Sequence, residues 1–543
     1  MKTSEISEQI DYSLNDPRNK WKILRVHWRY GLWALWTSLG SMMLGTDYTV
    51  GGQLLPMPFF KQQFGILKNG DYIIPARYSS AWQAIGPACD LVAAIICHPL
   101  LDKYGRKPLI IVGALLSVAG ICLQHEAKEW TLHLAGRAVN GAAIGVMFTI
   151  SPLWIGETCR PELRGLFLCF FNTSIVFGQM IIVFVSYGAE HIMNDWSWKV
   201  PLMAQYIYPL LLLAGYYWFP ESPMWLIRNG NTEKAGRCLK RCYGTDDDRF
   251  LEMELERLHV ESEILKQTEM ATLESQRKIF CGIQEPVLFQ CFHRSQLRRT
   301  WASILATSGQ QLIGATFVTG YVTYFLQLIN IKNYFLVSVI LYVFMLLSTL
   351  SAYPLVEIVG RRTMLVPAAF ALSGVNLLMG IMGCISNKVA AGWVIIVLIF
   401  LWAVIYQVSI GASGFVAASE VATLRLRAAT QSLVTVVNAI WGLICQFTVP
   451  YMISPDSGNM GGKTGFVFFA SGLITAVFMY FYMPETKGFS FVVLDELYSS
   501  GVPARKFKAE GKKLTDRAIE DHCKAGNVIE VKPGVKHEIT HVV

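Results

Sequence analysis

Twelve runs of predominantly apolar residues dominate the sequence, and each is long enough to cross a lipid bilayer as an α-helix. The hydrocarbon core of a bilayer is about 30 Å thick, which an α-helix spans in about 20 residues. The runs lie at 30–54, 79–101, 108–126, 132–156, 165–188, 199–219, 299–328, 334–356, 363–385, 391–418, 428–453 and 464–483. The pattern predicts an all-α integral membrane protein, because helices satisfy their own backbone hydrogen bonds inside lipid.

The composition excludes a mainly water-soluble chain. Of the 543 residues, 53% are hydrophobic and 16% are charged, whereas soluble domains carry roughly 25% charged residues. The sequence contains no phosphate-binding loop and no nucleophile motif, and its twelve cysteines show no metal-ligand spacing. We therefore expect no enzymatic activity, no metal and no cofactor.

The net charge of +8 is explained by membrane topology. Basic residues gather in alternate loops, namely before the first run, after the second and fourth runs, in the segment 220–298 and in the tail from 484. Loops rich in lysine and arginine stay on the cytosolic side, so both termini are predicted to be cytosolic. The charge therefore reports topology: the lipid bilayer is an expected partner of the protein, and no nucleic-acid partner is expected.

The twelve runs fall into two groups of six. We predict a cytosolic N-terminal segment at 1–29, a six-helix bundle at 30–219, a cytosolic linker with short helices at 220–298, a second six-helix bundle at 299–483 and a cytosolic tail at 484–543. The linker is rich in Glu and Arg with helical periodicity, which favours solvated helices; a partner-binding role for the linker stays open.

Charged motifs recur at matching places in the two groups. An acidic residue, a glycine and basic residues follow runs two and eight, and a Glu and an Arg seven residues apart follow runs four and ten. The residues are Asp102, Arg106, Glu157 and Arg164 in the first half, and Glu357, Arg361, Glu420 and Arg427 in the second. Because a duplicated unit can rock about a central site, we expect these charges to pair between the bundles and to act in gating. A role confined to tight turns and topology is the alternative.

These motifs resemble those of the sugar porter family of the major facilitator superfamily. The family pattern D-x-x-G-R-K matches 102–107, P-E-S-P-x-W-L matches 220–226 with Met at the usual Arg, and P-E-T-K-G matches 484–488. Within the family the chain is most similar to fungal maltose-type (α-glucoside) permeases, through 314–317 and 323–325. The resemblance implies the major facilitator fold, with twelve transmembrane helices in two pseudo-symmetric six-helix bundles.

Two oppositely charged residues lie inside predicted membrane helices. Asp47 in run one and Arg137 in run four fall at nearly the same depth when each helix rises about 1.5 Å per residue, so they can pair. A charge at the centre of a bilayer costs roughly 2.5–3.5 kcal/mol, and protonation of Asp47 would break the pair. The resemblance places the coupling Asp and Arg of the family on the same residues. We predict that this pair couples transport to a proton; a static structural pair is the alternative.

A third ionisable residue, Asp90, lies in run two. It is either a second proton site or part of the wall of an aqueous cavity.

Polar side chains at mid-depth are candidates for substrate binding, because amides donate and accept hydrogen bonds at once. Helix–helix hydrogen bonding is the competing role. The candidates are Asn172, Gln310, Gln311 and Asn438 and, by resemblance, Thr316, Tyr321 and Phe415. Thr316 stands at a usual Asn and Phe415 at a usual Trp, so the resemblance implies a pocket unlike that of a hexose carrier.

The predicted function is transport of a sugar by alternating access, as proton symport of an α-glucoside or another sugar. A facilitative sugar uniporter, a non-transporting sugar sensor and a metabolite efflux carrier are the alternatives. We expect an integral protein of the plasma membrane that functions as a monomer.

Overall fold

The computed structural model describes residues 24–68, 70–245, 247–274, 287–294, 296–329, 331–385, 388–423, 426–487, 489 and 491–514. Among the charged residues of the repeated motifs, the side chains of Arg164, Glu357 and Arg427 lie outside the described part.

The first half of the chain is built from α-helices and one short antiparallel hairpin. In chain order its elements are α1 Trp28–Thr37, α2 Leu39–Leu54, α3 Pro58–Phe64, β1 Ile66–Lys68, β2 Asp71–Ile73, α4 Ala76–Tyr104, α5 Arg106–His125, α6 Trp130–Thr158, α7 Pro161–Ala189, α8 Trp196–Ala204 and α9 Ile207–Gly215. In the hairpin, Leu67 pairs with Tyr72. The linker adds α10 Pro223–Arg228, α11 Thr232–Tyr243, α12 Asp248–Glu274 and α13 Val287–Gln290.

The second half repeats this helical pattern. Its elements are α14 Leu297–Leu312, α15 Ala315–Leu328, α16 Tyr334–Val359, α17 Arg361–Met382, α18 Lys388–Tyr406, a π-helical turn Gln407–Gly411, α19 Ala412–Val421, α20 Arg427–Ile453, α21 Thr464–Tyr482 and α22 Phe491–Ser499. Two short 3₁₀ turns lie at Gly461–Lys463 and Ala504–Lys506.

Nine helices of the described part are long and apolar enough to cross a membrane. The other three predicted runs are helical, but each is divided into two shorter helices: at Ser38, at Gln205 and Tyr206, and at Ile313 and Gly314. Gly314 has a φ of +99°, a left-handed conformation of the kind that ends helices. Nine continuous and three divided helices thus correspond to the twelve apolar runs of an all-α membrane protein.

Internal contacts divide the chain into two compact units. The first unit comprises the described part of 1–267 together with Thr319–Leu346 and Leu443–Asn459. The second unit comprises the described part of 268–543 outside those two segments. Both units therefore contain residues from α15, α16 and α20.

Glycines allow the helices of the first unit to approach closely. A Cβ atom on Gly120 of α5 would lie 2.5 Å from the backbone nitrogen of Asn140 in α6. A Cβ atom on Gly141 of α6 would lie 2.4 Å from the carbonyl oxygen of Gly86 in α4. Small residues are typical of membrane helix interfaces, where close packing drives association. The approach of α4, α5 and α6 brings their polar side chains together.

The linker helices α10 and α11 and most of α12 belong to the first unit and pack against its helices. Tyr243 at the end of α11 donates its hydroxyl to the carbonyl oxygen of Thr158 at 2.8 Å. One helix differs from the short helices expected here, since α12 continues for 27 residues. Arg257 pairs with Glu254 at 2.6 Å and with Glu261 at 2.8 Å, and pairs at these spacings stabilise a solvated helix.

The described part of the tail is attached to the second unit. Leu494, Leu497 and Phe507 form a small apolar cluster. Asp495 of α22 pairs with Arg299 near the start of α14, and the guanidinium of Arg299 lies 4.3 Å from the ring centroid of Tyr498. This segment is therefore a folded element.

Candidate coupling and substrate sites

Asp47 of α2 is the centre of a buried polar network and is only 1% exposed. Its Oδ1 lies 2.8 Å from Nη1 of Arg137 and accepts a second hydrogen bond from Nδ2 of Asn140 at 2.8 Å. Ser117 of α5 donates to Oδ1 of Asn140 at 2.9 Å. Bonds to a charged acceptor are stronger than neutral ones, so the carboxylate is well satisfied inside the unit. Asp47 and Arg137, expected from sequence to be able to pair, do lie in contact.

The guanidinium of Arg137 has several further partners. Its Nε donates to the carbonyl oxygen of Trp82 at 3.2 Å, and its Nη2 donates to Oε1 of Gln83 at 3.1 Å. Its Nη1 also lies 3.3 Å from the carbonyl oxygen of Asp47. Because so many of its donors are engaged, the arginine is fixed in place and loses a specific partner if Asp47 becomes neutral.

Gln83, Ser117 and Asn140 lie outside the sequence candidates. His133, Arg137 and Asn140 follow one another at intervals of four and three residues, which places them on one face of α6. That polar face could have indicated Asn140 from sequence. The positions of Gln83 and Ser117 depend on how α4 and α5 pack against α6, and no local pattern marks them.

Asp90 of α4 lies near this network. A Cβ atom on Gly145 of α6 would lie 2.9 Å from Oδ1 of Asp90, so glycine at that position makes room for the carboxylate. Asp90 is also within electrostatic range of Asp47. The first unit therefore holds two carboxylates, those of Asp47 and Asp90, that interact electrostatically.

Three of the predicted substrate residues lie in one region of the second unit. Oγ1 of Thr316 donates to Oε1 of Gln311 at 2.7 Å. A Cβ atom on Gly442 would lie 3.8 Å from Nε2 of Gln311, and Asn438 precedes Gly442 by one turn of α20. The buried Oδ1 of Asn438 has no hydrogen-bond partner among the described residues. These groups offer the mixed donors and acceptors that a hydroxylated ligand requires.

Gln310 and Phe415 have different surroundings. Nε2 of Gln310 donates at 3.1 Å to the carbonyl oxygen of Ile410, which belongs to the π-helical turn. Phe415 of α19 is 41% exposed and presents an apolar ring. Gln310 therefore makes a helix–helix hydrogen bond in this conformation, the competing role for its amide.

Asn172 and Tyr321 belong to the first unit. Nδ2 of Asn172 in α7 is buried and has no hydrogen-bond partner in the described part of the chain. Tyr321 of α15 is fully buried, and its hydroxyl donates to the carbonyl oxygen of Gln446 at 3.1 Å. Asn172 thus retains a donor for a ligand, whereas the Tyr321 hydroxyl joins α15 to α20.

The repeated charged motif forms a cluster at the start of α5. Arg106 pairs with Glu157 of α6. The carboxylate of Glu221 accepts from the backbone N–H groups of Arg106 and Lys107, at 3.0 Å each. These N–H groups lack partners within the helix, and the helix dipole favours a negative charge there. Gly105 precedes them with a φ of +90°, and a Cβ atom on it would lie 2.7 Å from Oε2 of Glu221.

The second unit repeats this arrangement at the start of α17. Arg361 pairs with Glu420 at 2.8 Å, and Glu485 accepts from the backbone N–H of Arg361 at 2.9 Å. Gly360 has a φ of +102°, and a Cβ atom on it would lie 2.8 Å from Oε2 of Glu485. Glu221 of the Pro-Glu-Ser motif therefore caps the start of α5, and Glu485 of the Pro-Glu-Thr motif caps the start of α17. The sequence alone did not indicate this capping role.

The pairing differs from the expectation of ion pairs between the bundles. Arg106 and Glu157 both belong to the first unit, and Arg361 and Glu420 both belong to the second. The reason is local, because each arginine starts a helix that packs beside the helix carrying its glutamate.

Asp102 contributes its backbone to this region, since its carbonyl oxygen accepts from Nε1 of Trp225 at 2.8 Å. No ion pair of its carboxylate is found among the described residues. A gating role of all eight charged residues stays a prediction.

Comparison with known proteins identifies the family. The chain matches the family model described as "Sugar (and other) transporter" over residues 33–498. The general alpha-glucoside permease of Saccharomyces cerevisiae is 26% identical over 485 residues, which cover 88% of this chain and 76% of the permease. The high glucose sensor RGT2 of the same organism is 24% identical over 554 residues, which cover 97% of this chain and 70% of the sensor.

Solved structures show the same fold. The xylose transporter XylE from E. coli, in a partially occluded inward open conformation, has a TM-score of 0.67 and 18% sequence identity, covering 84% of this chain and 98% of XylE. Another of its structures describes XylE as a proton:xylose symporter. The matched family is one of transporters and not of enzymes. The chain therefore belongs to the sugar (and other) transporter family and is an integral membrane transporter with the major facilitator fold.

Proposed function

We propose that this protein moves a sugar across the membrane by alternating access, in symport with a proton that binds Asp47. The observation that carries the proposal is the buried contact of Asp47 with Arg137 and Asn140. A carboxylate that pairs with a cation loses that ion pair when it is protonated, so proton binding changes the interactions of the site, as a coupling site requires.

Protonation changes the free energy of this network in a definite direction. A neutral Asp47 leaves Arg137 buried without its counter-charge, and breaking a buried ion pair in this way costs about 3–5 kcal/mol. A conformation in which Arg137 is hydrated or differently paired then becomes relatively more stable. A ligand shifts such an equilibrium only through its different affinities for the two states, and proton binding supplies that difference here.

The proposed substrate is an α-glucoside or another sugar. Sugars present many hydroxyl groups and apolar C–H faces, and Gln311, Thr316 and Asn438 offer matching donors and acceptors. Similarity to the alpha-glucoside permease and to XylE supports a sugar. We further propose a monomeric protein in the plasma membrane with both termini in the cytosol, on the basis of its loop charges.

Transport in proteoliposomes tests the proposal. Purified protein would be reconstituted and supplied with labelled maltose, glucose or xylose, with and without an inward proton gradient. The wild type is expected to accumulate one of these sugars only with the gradient. Asp47→Asn is expected to lose accumulation but to keep sugar exchange, and Asp195→Asn, at an exposed carboxylate, is the control that should behave as wild type. Accumulation by Asp47→Asn at the wild-type level would exclude Asp47 as the coupling group, and gradient-independent equilibration by the wild type would indicate a uniporter.

A non-transporting sensor is the second candidate, favoured by the similarity to RGT2 across 97% of this chain. The same assay separates the two functions. A sensor would bind sugar, detectable as a ligand-dependent rise in melting temperature, but would give no flux in either direction.

A further inference from the structure

A small cavity in the first unit lies beside Arg137. Its walls include Gln83 of α4, Gln124 of α5 and His133 of α6, together with the apolar rings of Trp82 and Phe60. It holds about 10 Å³ of free space. One water molecule needs about 10–15 Å³ and two to four polar partners, so the size is that of a single water.

Three buried polar atoms in these walls have no hydrogen-bond partner among the described residues: Nε2 of Gln83, Oε1 of Gln124 and Nδ1 of His133. The three side chains are at most 2% exposed. Leaving one such atom unsatisfied costs about 1–3 kcal/mol, and buried polar atoms in proteins nearly always have a partner. Three of them around one cavity indicate a shared ligand.

The donor and acceptor character of each atom can be assigned. The amide of Gln83 accepts from Arg137 through Oε1, so its Nε2 is a donor. Nε2 of Gln124 donates to the carbonyl oxygen of Gly120 at 3.4 Å, so its Oε1 is an acceptor. In the Nε2–H tautomer of the neutral His133 ring, the unpartnered Nδ1 is an acceptor. One donor and two acceptors are the complement of one water molecule.

We propose that this cavity binds one structural water, which accepts from Gln83 and donates to Gln124 and His133. The water fixes the amide of Gln83 with Oε1 toward Arg137, because the reverse orientation would place amide N–H groups against guanidinium N–H groups. His133 and Gln124 are thus positioning residues, acting on Arg137 through the water and Gln83. Of α6, His133 and Arg137 line the cavity, and they lie one turn apart on one face of that helix.

The site deepens the proposed function, and its effect on transport rests on that function. A less firmly held Arg137 stabilises the Asp47 carboxylate less, so proton-driven uptake should reach its midpoint at a higher pH. Loss of one such hydrogen bond corresponds to about half a pH unit or more.

The first measurement detects the water directly and needs no transport. Protein labelled with ¹⁵N-histidine would be studied in lipid bilayers by solid-state NMR, with the His133 signals assigned from the His133→Phe difference spectrum. Magnetisation transfer from water protons to Nδ1 of His133 is expected in the wild type and should be lost in Gln124→Met, which removes the acceptor at similar volume. Gln179→Met, at a buried glutamine of α7 outside the cavity, is the matched control and should keep the transfer.

The second measurement is the pH profile of sugar uptake in proteoliposomes. Gln124→Met should shift the midpoint upward while keeping sugar exchange, and Gln179→Met should match the wild type. No water transfer to His133 in the wild type, or unchanged transfer in Gln124→Met, would overturn the proposed site. An unchanged pH profile with loss of the transfer would overturn the positioning role. Failure of the proton-symport proposal would appear separately, as accumulation retained by Asp47→Asn.

Discussion

Acidification from pH 6.5 to about pH 4 is expected to weaken the attachment of the linker to the first unit, because it charges His27. This ring stacks on Phe250 of α12 with centroids 4.8 Å apart and meets the edge of Tyr243 at 5.1 Å. Burial, and secondly the Arg160 guanidinium, lower the pKa of His27 from 6.5 to about 4. The folded state therefore favours the neutral imidazole.

The size and sign of the effect follow from these values. Between pH 4 and pH 6.5 the unfolded chain binds a proton at His27 that the folded chain does not bind, so stability falls as the pH falls through this window. At 1.36 kcal/mol per pH unit, the loss approaches about 3 kcal/mol near pH 4. Above pH 6.5 this contribution is constant.

Thermal unfolding in detergent between pH 4 and pH 7 measures the effect. His27→Phe keeps an aromatic ring in the stack and cannot be charged, so its melting temperature should fall less steeply on acidification than that of the wild type. His191→Phe, at an exposed histidine after α7, controls for the loss of one histidine and should follow the wild type. If His27→Phe and the wild type lose equal stability over this window, the reasoning is refuted.

Two further outcomes follow from local geometry. Gly105→Ala should lower the melting temperature, because a φ of +90° and a Cβ atom 2.7 Å from Oε2 of Glu221 cost about 1–3 kcal/mol. The control is Gly188→Ala, where a Cβ atom meets nothing within 4 Å, and this variant should match the wild type. Equal melting temperatures for the two variants would contradict this account. Gln311→Ala removes the acceptor of the Thr316 hydroxyl and one proposed sugar contact. The KM for uptake should therefore rise about fivefold, the equivalent of about 1 kcal/mol. An unchanged KM would show that Gln311 does not contact the sugar.

The membrane helices could be predicted from sequence because lipid imposes a length and an apolar composition on every span. The interruptions within three of them could not all be predicted. Gly314 gives a signal in the sequence, because glycine readily adopts the left-handed backbone that ends a helix. Ser38, Gln205 and Tyr206 give no such signal. Their conformation depends on packing within the folded unit.

The candidate coupling pair could be predicted because a charge inside lipid requires a partner or a task, and a depth estimate brought Asp47 and Arg137 together. Their partners Gln83 and Ser117 could not be predicted, because neither lies in a distinctive pattern in its own helix. The same limit applies to Glu221, which lies in a recognised motif but caps a helix more than 100 residues earlier in the chain.

Proton movement driven by sugar in proteoliposomes tests the central claim most directly. With a pH-sensitive dye inside the vesicles and no imposed gradient, addition of the transported sugar outside should acidify the lumen for the wild type and for Asp195→Asn. Asp47→Asn should give no acidification while still exchanging labelled sugar. Sugar-driven acidification by Asp47→Asn equal to that of the wild type, or sugar entry into wild-type vesicles without acidification, would contradict proton coupling at Asp47.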